Sequence, residues 1–496
     1  MAKGMKSLAK DTAIYGISSI VGKFLNWLLV PLYTYVLASP ADYGVVTNLY
    51  SWTALLLVIL TYGMETGYFR FANKHLDEAD SVYSTSLFSV GSTSLFFAML
   101  VVIFSNPIAR GMGYAEHPEY ISMLAVAVAI DAFASIPFAY LRFKKRPVQF
   151  ATLKMVYVVL NIIFNIFFLI VCPWLMKHFP ASVNWFYNPD YGVGYVFVSN
   201  IISTVLQTLI LLPFVTVKKY SFNSKLLKEI LAYSLPLLIL GIAGIMNQTL
   251  DKILFPFLLP GEYGASQLGI YGATSKIALV MLMFTQAFRY AYEPFIFAQN
   301  KDKDSLKSYA DAMKYFIIFS LIIFLGMVLY IDIFKLIIKE TYWVGLNVVP
   351  IVLFSFIFQG IYFNLSLWYK LTDKTMYGAW FSMLGTVIIV VGNILLVPQF
   401  SYMGSAWAAF TCYFVIMLVS YYFGQKYMPI KYELKRIGIY ALLALVIFFI
   451  NNYLSTPYLL LNYLMKTIIL VIFAAYILKK ENLWEAIKNR IKIFRL

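Results

Sequence analysis

Continuous apolar stretches, separated by short polar loops, recur along the whole chain. A helix needs about 20 apolar residues to cross a hydrocarbon core of about 30 Å. The stretches are continuous rather than alternating, which favours helices over a β-barrel. They cover 12–37, 45–70, 82–105, 120–141, 149–172, 191–215, 229–250, 267–291, 312–332, 347–369, 376–398, 404–424, 437–453 and 461–478. The pattern predicts an all-α polytopic membrane protein with about 14 transmembrane helices.

Basic residues are concentrated in alternate loops, and cytoplasmic loops are the ones enriched in lysine and arginine. The rich set comprises Lys3, Lys6, Lys10, Arg142, Lys144, Lys145, Arg146, Lys218, Lys219, Lys225, Lys228, Lys301, Lys303, Lys307, Lys426, Lys431, Lys435 and Arg436. The poor set comprises Arg110, Lys177, Lys252, Lys335 and Lys339. Both termini are therefore predicted to be cytoplasmic, as an even number of helices requires. The first stretch is too long for a signal peptide and is predicted to be a retained helix.

Short motifs recur at an interval of about 220 residues, which predicts a duplicated unit. Asp42–Gly44 is echoed by Glu262–Gly264, and Asn165–Pro173 by Asn393–Pro398. Six helices per copy give two parallel repeats, since an even number preserves orientation. We expect an N-lobe at 1–217 (helices 1–6), a C-lobe at 218–428 (helices 7–12), two extra helices at 429–478 and a tail at 479–496. Tyr271–Gly272 competes with Tyr263–Gly264 for alignment with Tyr43–Gly44.

Composition supports a membrane protein and points away from several other classes. The chain of 496 residues is 61% hydrophobic and 12% charged, whereas soluble domains carry roughly 25% charged residues. Its 2 cysteines and 3 histidines lack the spacing of a disulfide framework or metal site. The net charge of +16 follows mainly from topology, so no nucleic-acid partner is expected. No catalytic or nucleotide-binding motif is present, and we predict neither enzymatic activity nor a cofactor.

Four basic residues lie within the predicted helices or at their cytoplasmic ends. Ionisable residues in spans are costly and are functional candidates by default. Lys23 and Arg70 belong to the first two helices of one repeat, and Lys276 and Arg289 to the corresponding helix of the other. If the repeats face each other, these cations approach one cavity suited to a phosphate or carboxylate.

Four acidic residues form a second candidate set, for ion coupling or structural pairing: Glu65, Asp131, Asp251 and Glu293. For Lys23 two interpretations stay open. It pairs with Glu65 or Asp131, or it faces a water-filled cavity. Lys466 interrupts the last predicted helix.

The tail combines Trp484, Ile487, Ile491 and Phe494 at helical spacing with surrounding basic residues. This pattern is typical of an amphipathic helix lying on an anionic inner leaflet. Membrane lipids are therefore expected partners of this segment.

Several segments, in this order and spacing, resemble Wzx-type polysaccharide flippases of the multidrug/oligosaccharidyl-lipid/polysaccharide (MOP) exporter superfamily: Asp42–Gly44, Gly63–Arg70, Leu268–Ala273, Phe288–Phe295 and Gly404–Ala409. The resemblance implies a MATE-like fold of two six-helix lobes, alternating access, and a bacterial inner-membrane location. It implies that undecaprenyl-diphosphate-linked oligosaccharide moves from the cytoplasmic to the periplasmic leaflet for surface polysaccharide synthesis. Lys23, Arg70, Lys276 and Arg289 lie in helices that correspond to those whose cations meet the diphosphate. A monomer working beside polymerase or glycosyltransferase machinery is expected.

Two alternatives remain at this stage. A cation-coupled drug or metabolite exporter of the same superfamily would be expected to line its cavity with carboxylates. A membrane glycan polymerase or ligase usually carries a large catalytic periplasmic loop, whereas the longest one predicted here is 173–190.

Overall fold

The computed structural model describes residues 16, 18–217, 219–299, 305–451 and 458–481. Within these ranges all regular structure is helical, and we number the long helices, some of them broken, α1 to α14. They are α1 (18–27 and Leu29–Val36), α2 (Pro40–Thr61 and Met64–Lys74), α3 (Ala79–Ile103), α4 (Pro118–Phe143), α5 (Pro147–Ile166, the π-helical turn Phe167–Val171 and Cys172–His178), α6 (Gly194–Leu211), α7 (Ser224–Leu258), α8 (Gly261–Ile277 and Leu279–Gln299), α9 (Ser305–Leu329), α10 (Val348–Leu365 and Leu367–Leu371), α11 (Met376–Phe400), α12 (Tyr402–Tyr427), α13 (Leu434–Asn451) and α14 (Leu459–Lys480). Shorter helices in the connections are Leu76–Glu78, Ser105–Gly111, Pro180–Ser182, Pro189–Tyr191, Leu212–Phe214, Ile331–Phe334, Lys335–Ile337 and Glu340–Gly345.

Most of these helices are long and apolar enough to cross a membrane. Among the described residues 12 helices meet this condition singly, and the two parts of α8, bent by 47°, bring the number to 13 when taken as one span. The remaining helix, α1, is interrupted at Leu28, one turn before Pro31. Proline has no N–H to donate to the carbonyl oxygen four residues earlier, and its ring crowds that carbonyl, so the helix is interrupted in the turn before Pro31. The prediction of a polytopic all-α protein is confirmed.

Helices α2 and α8 begin earlier than their apolar stretches predict. Ser39 and Asp42 form a capping box, with Asp42 N donating to Ser39 Oγ at 3.3 Å and Ser39 N donating to Asp42 Oδ2 at 3.0 Å. The polar first turn therefore belongs to α2, although hydropathy excluded it. Helix α2 starts at Pro40 and helix α8 at Gly261, a separation of 221 residues that is close to the interval of about 220 between the repeated motifs.

The two repeats touch where α2 crosses α8. We call the end of the bundle where α1 ends and α2 begins the outer end, which the charge pattern predicts to be periplasmic. There a side chain at Gly44 would overlap the Ala265 carbonyl oxygen, and one at Gly269 would overlap the Pro40 carbonyl oxygen. Glycine at both positions lets the two backbones come into direct contact, as small residues do between membrane helices.

Ion pairs join α9 to the start of α13 and the end of α14 at the inner end, which lies opposite the outer end, and join α14 to the segment after α9 at the outer end. At the inner end Lys314 Nζ lies 2.8 Å from Glu433 and 2.9 Å from Glu481, which follows α14 and has a side chain only 2% exposed. Tyr440 on α13 also donates to Glu481, at 2.6 Å. At the outer end Lys466 Nζ lies 3.5 Å from Asp332. Lys466 thus contacts an acidic residue beyond the end of α9.

The inner anchor, formed by Lys314, Glu433 and Glu481, depends on the protonation of the Glu481 carboxyl. Burial by itself raises the pKa of the Glu481 carboxyl, but hydrogen bonds from Tyr440 and Lys314 outweigh burial and hold that pKa below its ordinary value. Because the pKa of the Glu481 carboxyl is lower in the folded protein than in the unfolded chain, the ionised carboxylate stabilises the fold at any pH above the ordinary carboxyl pKa. This stabilisation is lost as the pH falls through the lowered pKa.

We expect Gly269→Ala to lower the melting temperature of the purified protein, because a methyl group there forces α2 and α8 apart. Overpacking of this kind costs about 1–3 kcal/mol. Gly438→Ala on α13 is the matched control, since no atom lies within 4 Å of the added carbon. That change should be neutral or stabilising by up to about 1 kcal/mol. Equal melting temperatures for the two variants would contradict the crossing contact.

We expect Lys314→Met to destabilise the packing of α13 and α14 by up to about 3–5 kcal/mol, because buried Glu481 is left with only the more distant Arg436, at 3.9 Å, as a cation. The measurement is the loss of thermal stability together with protease sensitivity after residue 433. Lys335→Met is the control, because its partner Asp332 is 42% exposed and such pairs contribute about 0–1 kcal/mol. An equal loss in both variants would argue against a buried anchor.

Candidate functional site

Lys23 of α1 reaches across to the C-lobe. Its Nζ donates to Gln286 Oε1 of α8 at 2.6 Å. Arg289, one turn further along α8, lies close enough for its charge to act on Lys23. Both cationic side chains are exposed. Two like charges from different repeats are therefore held near each other at membrane depth, with an amide as the direct link.

Lys276 lies closer to the outer end of the same junction. Trp27 Nε1 of α1 donates to the Lys276 carbonyl oxygen at 2.8 Å, which fixes α1 against α8. The Lys276 side chain is exposed although protein surrounds it densely. Lys252 of α7 lies near enough for its charge to act on Lys276.

Lys252 is held by a buried carboxylate. Its Nζ lies 2.8 Å from Asp251 Oδ2, and the same oxygen accepts a hydrogen bond from Tyr271 at 2.8 Å. Asn48 of α2 donates to the Lys252 carbonyl oxygen at 2.8 Å. Asp251 is therefore neutralised by its neighbour, and its position is set by the contact between the two repeats.

Arg70 occupies a different part of the junction. Its guanidinium lies 4.1 Å from the ring centroid of Tyr233 on α7, a distance at which cation–π attraction is substantial. No contact among the described residues joins Arg70 to Lys23, Lys276 or Arg289. The structure thus brings together Lys23 with Arg289, and Lys276 with Lys252, while Arg70 lies on the α2–α7 side.

Of the two interpretations of Lys23, pairing with Glu65 or Asp131 does not match the neighbours that the described residues give these carboxylates. Glu65 of α2 forms its ion pair with Arg142, in the last turn of α4. Asp131 of α4 lies near Lys154 of α5, whose charge acts on it. Both carboxylates have closer basic neighbours within the N-lobe, which leaves Lys23 to the cavity interpretation. Glu293 was the fourth acidic candidate, and its side chain lies outside the described residues.

Sequence reasoning missed four participants: Arg142, Lys154, Lys252 and Gln286. Lys154 lies inside the predicted stretch 149–172, so its position alone was a sufficient signal. Arg142 and Lys252 were assigned to loops because hydropathy ended their helices too early. Gln286 carries no charge, and its role depends on a contact with a residue 263 positions away.

The charges at the junction are unequal in their compensation. Glu65, Asp131 and Asp251 each lie beside a basic residue, whereas Lys23 lies near Arg289, and Lys276 lies near Lys252, whose own charge is met by Asp251. Clustered cations at membrane depth repel each other and gain most from a bound anion. Among the described residues no group of three potential metal ligands occurs. The arrangement is suited to hold a multiply charged anion.

Comparison with solved structures shows the same fold. "Lipid II flippase MurJ, inward closed conformation" matches with a TM-score of 0.74 at 14% identity, covering 94% of this chain and 99% of that one. An inward-facing multidrug resistance MATE family transporter of the MOP superfamily matches with a TM-score of 0.66 at 14% identity, covering 84% of this chain and 94% of that one. A MOP superfamily transporter from Pyrococcus furiosus, whose title refers to the reverse polarity of its binding pocket, matches with a TM-score of 0.52 at 13% identity, covering 84% of this chain and 95% of that one.

The matched structures are transporters and flippases, and they share the helical architecture of this chain. No curated protein sequence matches the chain. The family model described as "Polysaccharide biosynthesis protein" matches residues 8–299, which is more than half of the sequence. This range includes α1, α2, α7 and α8, the helices that supply the cations of the junction. The chain belongs to this polysaccharide biosynthesis family, and its fold is that of the MOP transporters.

Proposed function

We propose that this protein moves an undecaprenyl-diphosphate-linked oligosaccharide from the cytoplasmic to the periplasmic leaflet. The observation that carries the proposal is the approach of Lys23 on α1 to Gln286 and Arg289 on α8. A diphosphate bound there neutralises charges from both repeats at once. Family membership in polysaccharide biosynthesis supports a glycan-bearing substrate.

The cations occupy successive depths between the two ends of the bundle. Lys276 precedes Arg289 by several turns of α8, and each helical turn advances about 5.4 Å along the axis. Lys252 lies close to the end of α7, nearer still to the outer end. An anion that leaves Lys23 and Arg289 therefore meets Lys276 and Lys252 next. This order supports alternating access, in which opening at the outer end transfers the head group toward the periplasm.

The distribution of acidic residues argues against the drug-exporter alternative. A cationic drug needs an uncompensated carboxylate, but Asp251 already contacts Lys252 at 2.8 Å and Glu65 already contacts Arg142. Lys23 and Arg289 would repel such a substrate. The proposed setting is the bacterial inner membrane with both termini cytoplasmic, beside the glycosyltransferases and polymerase that make and consume the substrate.

We expect Lys23→Gln and Arg289→Gln each to reduce transport roughly ten- to a hundredfold, because a charge-assisted hydrogen bond contributes about 1.5–3 kcal/mol. Lys23→Arg should retain most activity. The measurement is the amount of surface polysaccharide and the leaflet in which the lipid-linked precursor accumulates. Lys225→Gln, an exposed basic residue near the start of α7, is the control for net charge. Normal export by folded Lys23→Gln and Arg289→Gln proteins would overturn the cationic site.

Trp27 supplies a direct test of anion binding, because its indole donates to the backbone of Lys276. We expect farnesyl diphosphate to change the part of the tryptophan fluorescence that Trp27→Phe removes. Farnesol should not do so, and added salt should weaken the effect by screening. The Lys23→Gln/Arg289→Gln double variant should lose the response. A response to tetraphenylphosphonium, with none to the diphosphate, would favour the exporter.

A further inference from the structure

Gln286 links the cations that the two repeats bring to the junction. It belongs to the second part of α8 and precedes Arg289 by three residues, so the two side chains share a face of that helix. Its Oε1 accepts a hydrogen bond from Lys23 Nζ at 2.6 Å, and the charge of Arg289 acts on Lys23 from close by. Gln286 therefore holds the ammonium of Lys23 within range of a second positive charge.

The partner of Lys23 differs in charge from the partners of other basic residues in these helices. Carboxylates bind two of them, in the pairs Arg142–Glu65 and Lys252–Asp251. Each of those pairs has no net charge. The amide of Gln286 accepts the same kind of hydrogen bond as a glutamate of nearly equal size, but it contributes no negative charge. The contact thus fixes Lys23 in place and leaves its positive charge undiminished.

Unused donors remain on both sides of this hydrogen bond. An ammonium carries three donors, and among the described residues Lys23 Nζ bonds only to Gln286. Because an ammonium can only donate, it must face the oxygen of the amide, and this sets the orientation of the Gln286 side chain. The Nε2 of Gln286 then carries two further donors, for which the described part of the chain shows no acceptor. Phosphate oxygens can accept hydrogen bonds from both groups.

We propose that Gln286 sets the charge preference of the junction by positioning Lys23 without neutralising it. With the amide in place, a head group meets the charge of Lys23 beside that of Arg289, whereas a glutamate would cancel the first of these charges. The matching ligand carries at least two negative charges and several acceptor oxygens, as a diphosphate does. The choice of a diphosphate rests on the proposed function, whereas the preference for an anion over a cation rests on the contact between Lys23 and Gln286.

The test compares two dissociation constants of the purified full-length protein, one for farnesyl diphosphate and one for tetraphenylphosphonium. Both are measured by the tryptophan fluorescence that depends on Trp27. The readout is the constant for the cation divided by the constant for the diphosphate, a ratio that rises with preference for the anion. A purely structural role of Gln286 would weaken both ligands together and leave this ratio constant.

We expect Gln286→Glu to lower the ratio on the order of a hundredfold or more, because the new carboxylate cancels the charge of Lys23 and repels the diphosphate. Gln286→Met has a similar size and no charge. It should lower the ratio only roughly two- to tenfold, the effect of losing one ordinary hydrogen bond while Lys23 stays charged. Gln399→Glu, an exposed residue near the outer end of α11, changes the net charge equally and should leave the ratio unchanged.

An exchange of the two residues supplies a second test. Lys23→Gln/Gln286→Lys reverses the direction of the hydrogen bond and keeps the net charge of the site, so its ratio should stay within about tenfold of the original. Comparable melting temperatures establish that the variants fold. A ratio in Gln286→Glu that falls no further than in Gln286→Met, or a lost anion preference in the folded exchange variant, would overturn the proposal. If these ratios hold but the original protein exports no lipid-linked oligosaccharide, the proposed function is refuted and the role of Gln286 stands.

Discussion

The direct backbone contact between α2 and α8 is the constraint on which the rest of the junction depends. Gly44 and Gly269 let the first hairpin of one repeat lie against the first hairpin of the other. Because the backbones meet there, Trp27 reaches the carbonyl of Lys276 and Asn48 reaches that of Lys252. Any larger side chain at the crossing would separate the helices and displace these hydrogen bonds together. The geometry of the cation cluster is thus set by two residues that carry no charge.

Electrostatic pairing within each repeat accounts for the acidic residues near the junction. The N-lobe pairs Glu65 with Arg142 and places Lys154 beside Asp131, while the C-lobe places Lys252 on Asp251. Once these pairs are formed, Lys23 and Lys276 add further positive charge at the contact between the repeats. In the proposed function, a bound diphosphate would offset the repulsion between the like charges of Lys23 and Arg289.

The number and order of the helices could be predicted from the sequence, because hydropathy averaged over the length of a span reports burial in lipid directly. The positions of Lys23, Lys276 and Arg289 were also readable, since charge inside an apolar stretch is conspicuous. The polar first turn of α2, fixed by Ser39 and its capping box, escaped the same method because its residues are hydrophilic. The choice of Gln286 as the partner of Lys23 could not be predicted, because it depends on how two distant helices are rotated against each other.

The ion pairs at both ends of α9 have a mechanical consequence. Lys314 joins α9 to Glu433 and Glu481 at one end, and Lys466 joins α14 to Asp332 at the other. Helix α14 is thus joined to α9 and to the segment that follows α9 at two points about one membrane thickness apart, whereas α13 is joined only at the inner end. Any tilting of α9 therefore carries α14 with it and displaces the lipids around that helix. Part of the barrier to each cycle is then set by the bilayer, so its thickness and stiffness would tune the turnover rate.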